Sequence, residues 1–171
     1  MRASEALEKL IGLQIVAAGH AADLRGFGFG AISTEIGQRD AEWWLHIQCS
    51  WRLESSDKVI TGKRDWCEPA AETDLPETDN WDPANGGSLQ ERRVRDLFRD
   101  PANSQRELLN YSELLVVERA ESNEYGDVVI RFKGDFRLRI FPDGSSGEFW
   151  RIFRKGDLGS HYVWEADAAN L

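Results

Sequence analysis

Apolar and polar residues alternate along residues 43–53. Trp43, Leu45, Ile47, Cys49, Trp51 and Leu53 fall on one side of an extended chain, and Trp44, His46, Gln48, Ser50 and Arg52 on the other. A period of two predicts a strand with one dry face and one hydrogen-bonding face. Ser55-Ser56-Asp57 breaks the pattern, and residues 58–62 read as the return strand of a hairpin, extended past a bulge by 62–66.

The same patterning assigns the rest of the chain. Ser4 as a cap, Glu5 in the first turn, and Leu7, Leu10 and Ile11 at helical spacing predict a short helix over 4–11, stopped by Gly12. Residues 13–17 read as a strand, 19–23 as a turn and 24–30 as a second strand. There Gly26, Gly28 and Gly30 share one face and Phe27 and Phe29 the other. These glycines lack the spacing, and the following helix, of a dinucleotide-binding loop. They predict a bare strand face on which bulky neighbours such as Trp pack closely. A polar turn covers 35–40.

Ser88 and Glu91 make a capping box that opens a helix running to about Arg99, before Pro101. Leu89, Val94, Leu97 and Phe98 form its apolar stripe, with Arg92, Arg93, Arg95 and Arg99 outside. Strands are predicted over 114–121, 128–132, 136–141, 149–153 and 161–164, with a frayed tail over 165–171. A three-residue loop, Lys133-Gly134-Asp135, pairs Phe132 with Phe136 and Ile130 with Leu138. A two-residue loop would oppose Phe132 to Arg137, so burial of one face selects the longer loop. Consecutive hairpins predict an α+β fold: a mainly antiparallel, strongly curved or half-barrel sheet with two short helices on its face or edge.

Length and charge narrow the picture. At 171 residues the chain suits a single domain, 1–171, that buries enough surface to fold without metal or disulfide. Cys49 and Cys67 are too few for a disulfide framework, and Cys49 on the dry face serves as a small hydrophobe. A formal net charge of −9 argues against nucleic acid and anionic membrane as partners. It suits a basic protein partner, or solubility alone. The N-terminal residues lack the apolar run and cleavage site of a signal peptide, and no stretch has the length of a membrane span. A cytoplasmic protein is the expectation. From Asp65 to Glu91 there are eight carboxylates and neither Lys nor Arg. With Pro69, Pro76 and Pro83 this predicts a long acidic loop at about 65–87, anchored by Trp66 and Trp81.

Candidate chemistry is sparse. The row His46, Gln48, Ser50 and Arg52 is the candidate ligand-binding set. Its bland alternative is a face left to water, or covered by the acidic loop, with Arg52 paired to a carboxylate. His46 and Cys49, three apart on a strand, point to opposite faces, and His20, His161 and Cys67 are scattered, so no zinc site is expected. Asp79-Asn80-Trp81-Asp82 lacks the glycine and terminal Glu of a calcium loop. No nucleophile elbow is present, a buried Cys49 thiol would be inert, and no carboxylate pair stands out. The expectation is a non-enzyme with no catalytic residue, metal or cofactor. In the chosen register Arg131, Arg137, Arg139 and Arg151 share a face with Phe141, Phe149 and Phe153. Opposed like charges need counter-charges. The acidic loop folding back is the preferred source. The alternative is an anionic ligand or an acidic partner docking on Arg137, Arg139 and Arg151, with Trp81.

The run His46-Ile47-Gln48-Cys49-Ser50-Trp51-Arg52, then Lys63-Arg64-Asp65, then Phe141-Pro142 and Glu148-Phe149-Trp150-Arg151, resembles a family signature. The family comprises small bacterial proteins of uncharacterised function, frequent in actinomycetes. Its strand looks like HIQCPWR, its return strand carries SRD, and a later stretch reads FP…EYWR. This chain has Ser50 where the family often has proline. The resemblance covers most of the chain and implies no activity and no catalytic residue. The leading expectation is a non-enzymatic protein-binding domain, either immunity-like (neutralising a basic toxin) or an adaptor. The alternative is a small-ligand-binding protein or enzyme whose sheet-face pocket is lined by His46, Gln48, Ser50 and Arg52.

Overall fold

The alternation of residues 43–53 survives in three dimensions, but the strand does not stay in one sheet. The computed structural model describes residues 2–33, 40–70, 87–98 and 113–166. In it the segment splits into β3 (Asp40–Ile47) and β4 (Ser50–Glu54), which belong to different sheets. Gln48 and Cys49 form the corner between them. Their backbone N–H groups both donate to the Phe149 carbonyl, at 2.8 and 3.3 Å. Trp43, Leu45, Ile47, Cys49, Trp51 and Leu53 are nonetheless all buried.

Ten strands and two α-helices lie among the described residues. The first sheet has the order β1-β2-β3-β9-β10, built from β1 (Ile15–Ala21), β2 (Leu24–Ser33), β3, β9 (Gly147–Arg154) and β10 (Asp157–Ala166). The second has the order β5-β4-β8-β7-β6, built from β5 (Val59–Gly62), β4, β8 (Arg137–Phe141), β7 (Val128–Phe132) and β6 (Val117–Ser122). Every named pairing is antiparallel. The chain crosses the corner twice, at β3 to β4 and again at β8 to β9, and the two crossings run side by side. Ile47 pairs with Trp150 on one side of the corner, and Ser50 with Phe141 on the other. The expected α+β class with a bent antiparallel sheet therefore holds. The bend divides it into two five-stranded sheets, neither closed into a barrel.

One apolar cluster draws on both sheets. Phe27 of β2 meets Trp51 of β4 edge-on, with ring centroids 5.6 Å apart. Trp150 is fully buried and its indole N–H donates to the Gly126 carbonyl at 2.9 Å, tying β9 to the β6–β7 turn. Helix α1 (Ala3–Glu8) places Leu7 against this core, and Leu10 follows it. Its start differs from expectation: Arg2 is the N-cap, its backbone N–H donating to Glu5 at 2.8 Å, and Ser4 lies inside. The helix also ends earlier, and Gly12, at φ +83°, redirects the chain. The Gly12 N–H then donates to the Val117 carbonyl, and the Val117 N–H to the Leu13 carbonyl.

Of residues 62–66 only Gly62, the end of β5, is strand. Lys63–Cys67 is a 3-10 helix that buries Trp66 as the expected anchor. Asp65 stabilises that turn by accepting from Thr61 at 2.9 Å and from Arg93 at 3.0 Å. Helix α2 (Leu89–Phe98) keeps half of the capping box: the Glu91 N–H donates to Ser88 Oγ at 3.1 Å. Glu113–Leu115 is a 3-10 turn, so β6 starts later than 114. The 133–135 hairpin has the expected register, with Ile130 opposite Leu138 and Phe132 bonded to Phe136. β10 runs on to Ala166, so Glu165 and Ala166 are paired rather than frayed. Trp81, most of the acidic loop, the 79–82 run and most of the 35–40 turn lie outside the described residues.

Candidate functional site

The outer face of the first sheet is shaped by glycine. Gly19 pairs with Gly26, Gly26 with His46 and Gly28 with Trp44. The indole of Trp44 lies on the bare strip as the sequence led one to expect. A Cβ on Gly26 would sit 3.2 Å from its ring, and one on Gly28 would sit 2.5 Å from the Ala41 Cβ. Trp44 Nε1 donates to Asp40 at 2.6 Å, and the other Asp40 oxygen accepts from Lys155. Burial alone would raise the Asp40 carboxyl. The hydrogen bonds from Lys155 and Trp44 win and hold it below the usual carboxylate value. Phe153 stands edge-on to His46 at 4.8 Å. These groups, with His20, Leu24 and Gly19, surround an open cleft of about 360 Å³.

His46 is half-buried in the cleft wall, and its Nδ1 is buried without a hydrogen-bond partner. Burial, then the Arg151 charge beside it, push its pKa down, with Glu148 opposing. The ring is therefore neutral at neutral pH. At the cleft rim the His20 ring lies tilted against Trp66, centroids 4.8 Å apart, with Nε2 4.0 Å from Glu91. Glu91 and Gln90 both accept from Arg25, whose side chain is only 1% exposed. Gln90 also donates to the Gly62 carbonyl at 2.9 Å. This buried polar knot fixes α2 across the end of the first sheet.

The candidate row is not one lining. Only His46 reaches the cleft. Gln48, exposed at the corner, donates to Glu148 at 3.0 Å, and Ser50 donates to Asp143 at 2.5 Å. Arg52 stands on the second sheet, 3.0 Å from Glu54 and 5.3 Å above the Phe141 ring. A single pocket lined by His46, Gln48, Ser50 and Arg52 presumes a straight strand, and the corner at 48–49 separates them. The reading that pairs Arg52 with a carboxylate is correct, though its partner is Glu54. Sequence reasoning missed that Asp40, Lys155 and Phe153 line the same cleft as His46. Their only signal was sheet order, which a single sequence does not display.

The arginine face also divides. Arg151 lies on β9 in the first sheet, opposite His46 and 3.3 Å from Glu148, and Phe149 is buried. Neither shares a face with Arg137 and Arg139. What remains on the outer side of the second sheet is a basic field. Arg119 opposes Arg131, Arg131 opposes Arg137, and Arg52 opposes Arg139. Among the described residues counter-charge comes from within the sheet, where Glu54 also stands opposite Arg137; most of the acidic loop, the expected source, lies outside the described residues. Glu54 takes Arg52 at 3.0 Å and Arg139 at 2.5 Å, and Arg119 takes Glu121 at 2.6 Å. Burial opposes ionisation of Glu54, but its two arginines hold its pKa below the usual value. Among the described residues neither Arg131 nor Arg137 has an ion pair.

Both cysteines are free, and burial, then the Asp143 charge, push the Cys49 thiol up to about 12, which removes it as a nucleophile. Among the described residues no group of three or more His, Cys, Asp or Glu is placed to hold a metal ion. No helix among them is long and apolar enough to cross a membrane. Comparisons with family models, curated proteins and solved structures returned no match for this chain.

Proposed function

We propose that this chain is a non-enzymatic protein-binding domain, immunity-like or adaptor-like, that docks through the outer face of its second sheet. One observation carries the reading: Arg131 directly opposes Arg137, and neither has an ion pair among the described residues. Like charges directly opposite on a sheet are unfavourable. A partner presenting carboxylates relieves that repulsion, and Arg is among the side chains interfaces favour. The net charge first suggested a basic partner. Several described carboxylates are already engaged internally, among them Asp40, Glu54, Asp65 and Glu91. Among the described residues the unpaired charge on this face is basic, so an acidic partner surface is the better fit. Two free cysteines agree with a reducing, cytoplasmic setting.

The test is comparative capture from native lysate with the wild-type chain and the Arg131→Glu variant. A partner held by the wild type should be released by moderate salt and absent from the variant. Equal recovery of the same partner by both would remove this face from the proposal.

A further inference from the structure

We propose that the cleft on the outer face of the first sheet binds a small, flat, uncharged aromatic or heteroaromatic molecule, seated over Gly19 against Trp44, His46 and Phe153. This site is independent of the arginine face, which lies on the other sheet.

Size is the first argument. About 360 Å³ falls in the range of small-molecule pockets, and aromatic walls with a few polar groups are their usual lining. The floor is the second. Gly19 and Gly26 are register partners, so two bare positions lie side by side. A Cβ on Gly26 would press on Trp44 and His46, whereas one on Gly19 would meet nothing within 4 Å among the described residues. The open space above Gly19, bounded on the Gly26 side by the Trp44 and His46 rings, accommodates a flat ring, with Phe153 also in the lining. Charge is the third. Asp40 and Lys155 at the rim are bound to each other and cancel. The charges nearest His46, Arg151 and Glu148, form a pair as well. An ion entering the cleft would lose water without gaining a counter-charge. A neutral ring loses only apolar hydration and meets the edge-on aromatic contacts that such rings prefer. The neutral state of His46 agrees with this.

The experiment uses the full chain, indole as the neutral probe, and benzoate and benzylamine as charged probes of similar size. The readout is the NMR shift of the Trp44 indole N–H and the His46 ring. Indole should shift both at millimolar concentration, and the two charged probes should shift them less. Gly19→Leu, which fills the open space, should weaken indole binding at least about tenfold, a loss of roughly 1.4 kcal/mol. Gly19→Ala should weaken it less, and both should melt no lower than the wild type. Gln48→Ala, outside the cleft, should bind as the wild type does. Three outcomes would overturn the proposal: no shift of Trp44 with indole, undiminished binding in both folded Gly19 variants, or preference for a charged probe.

Discussion

Glu54 shows how one residue can decide what a face tolerates. It is a nearly buried carboxylate between Arg52 and Arg139, which oppose each other across β4 and β8. Its folded pKa lies below its ordinary value of 4.5. Between those two values the unfolded chain binds more protons than the folded one, so stability rises with pH there. The contribution is complete above the unfolded value and vanishes as pH falls through the folded one. Glu54→Gln should therefore lower stability at pH 7 by about 1–3 kcal/mol, since two guanidinium groups lose their charged acceptor. It should also flatten the acid limb of a denaturation series below pH 4.5. An unchanged acid limb would show that the pair contributes nothing. The glycines make the same point through volume. Gly28→Ala sets two Cβ atoms 2.5 Å apart, and overpacking of that kind costs about 1–3 kcal/mol. Gly19→Ala, with open space above it, should cost nothing measurable in a urea titration.

At the scale of elements, the dry and wet faces were legible wherever a period of two ran on, because alternation reports which side chains leave water and nothing else. All six residues on the dry side of 43–53 are buried for that reason. The corner at Gln48-Cys49 was invisible because the alternation passes through it unbroken. Its cause is remote in sequence: the Phe149 carbonyl, which accepts both N–H groups. The candidate ligand row failed for the same reason, since residues sharing one side of a straight strand need not share a sheet. The 133–135 hairpin succeeded because burial discriminates between adjacent registers. The second sheet supplies a prediction of its own. Arg131 stands between Arg119 and Arg137, so Arg131→Glu replaces two repulsions with two attractions. Cross-strand pairs of this kind are worth about 0.2–1 kcal/mol each. The variant should melt higher than the wild type while losing the proposed partner. A variant that melts lower would mean that Arg131 is already compensated.

At the scale of the molecule, the question is whether two sheets behave as one folding unit. They share an apolar cluster, and the chain passes between them at paired crossings. A second link lies beside the corner, where the β6–β7 turn of the second sheet meets Trp150 and Trp164 of the first. Gly126 is its hinge. It holds φ +81°, and a Cβ there would lie 2.2 Å from the Trp164 ring. Gly126→Ala therefore combines left-handed backbone strain with a collision, about 2–4 kcal/mol in all. The damage should not stay in the turn. Displacing Trp164 disturbs β10, and moving the Gly126 carbonyl breaks the buried Trp150 hydrogen bond in β9. If the sheets are coupled, hydrogen exchange in β4 and β8 should quicken together with that in β9 and β10, and thermal unfolding should stay a single transition at a lower temperature. Separate transitions, with β4 and β8 still protected, would mean that each sheet folds on its own and that the shared core is contact without coupling.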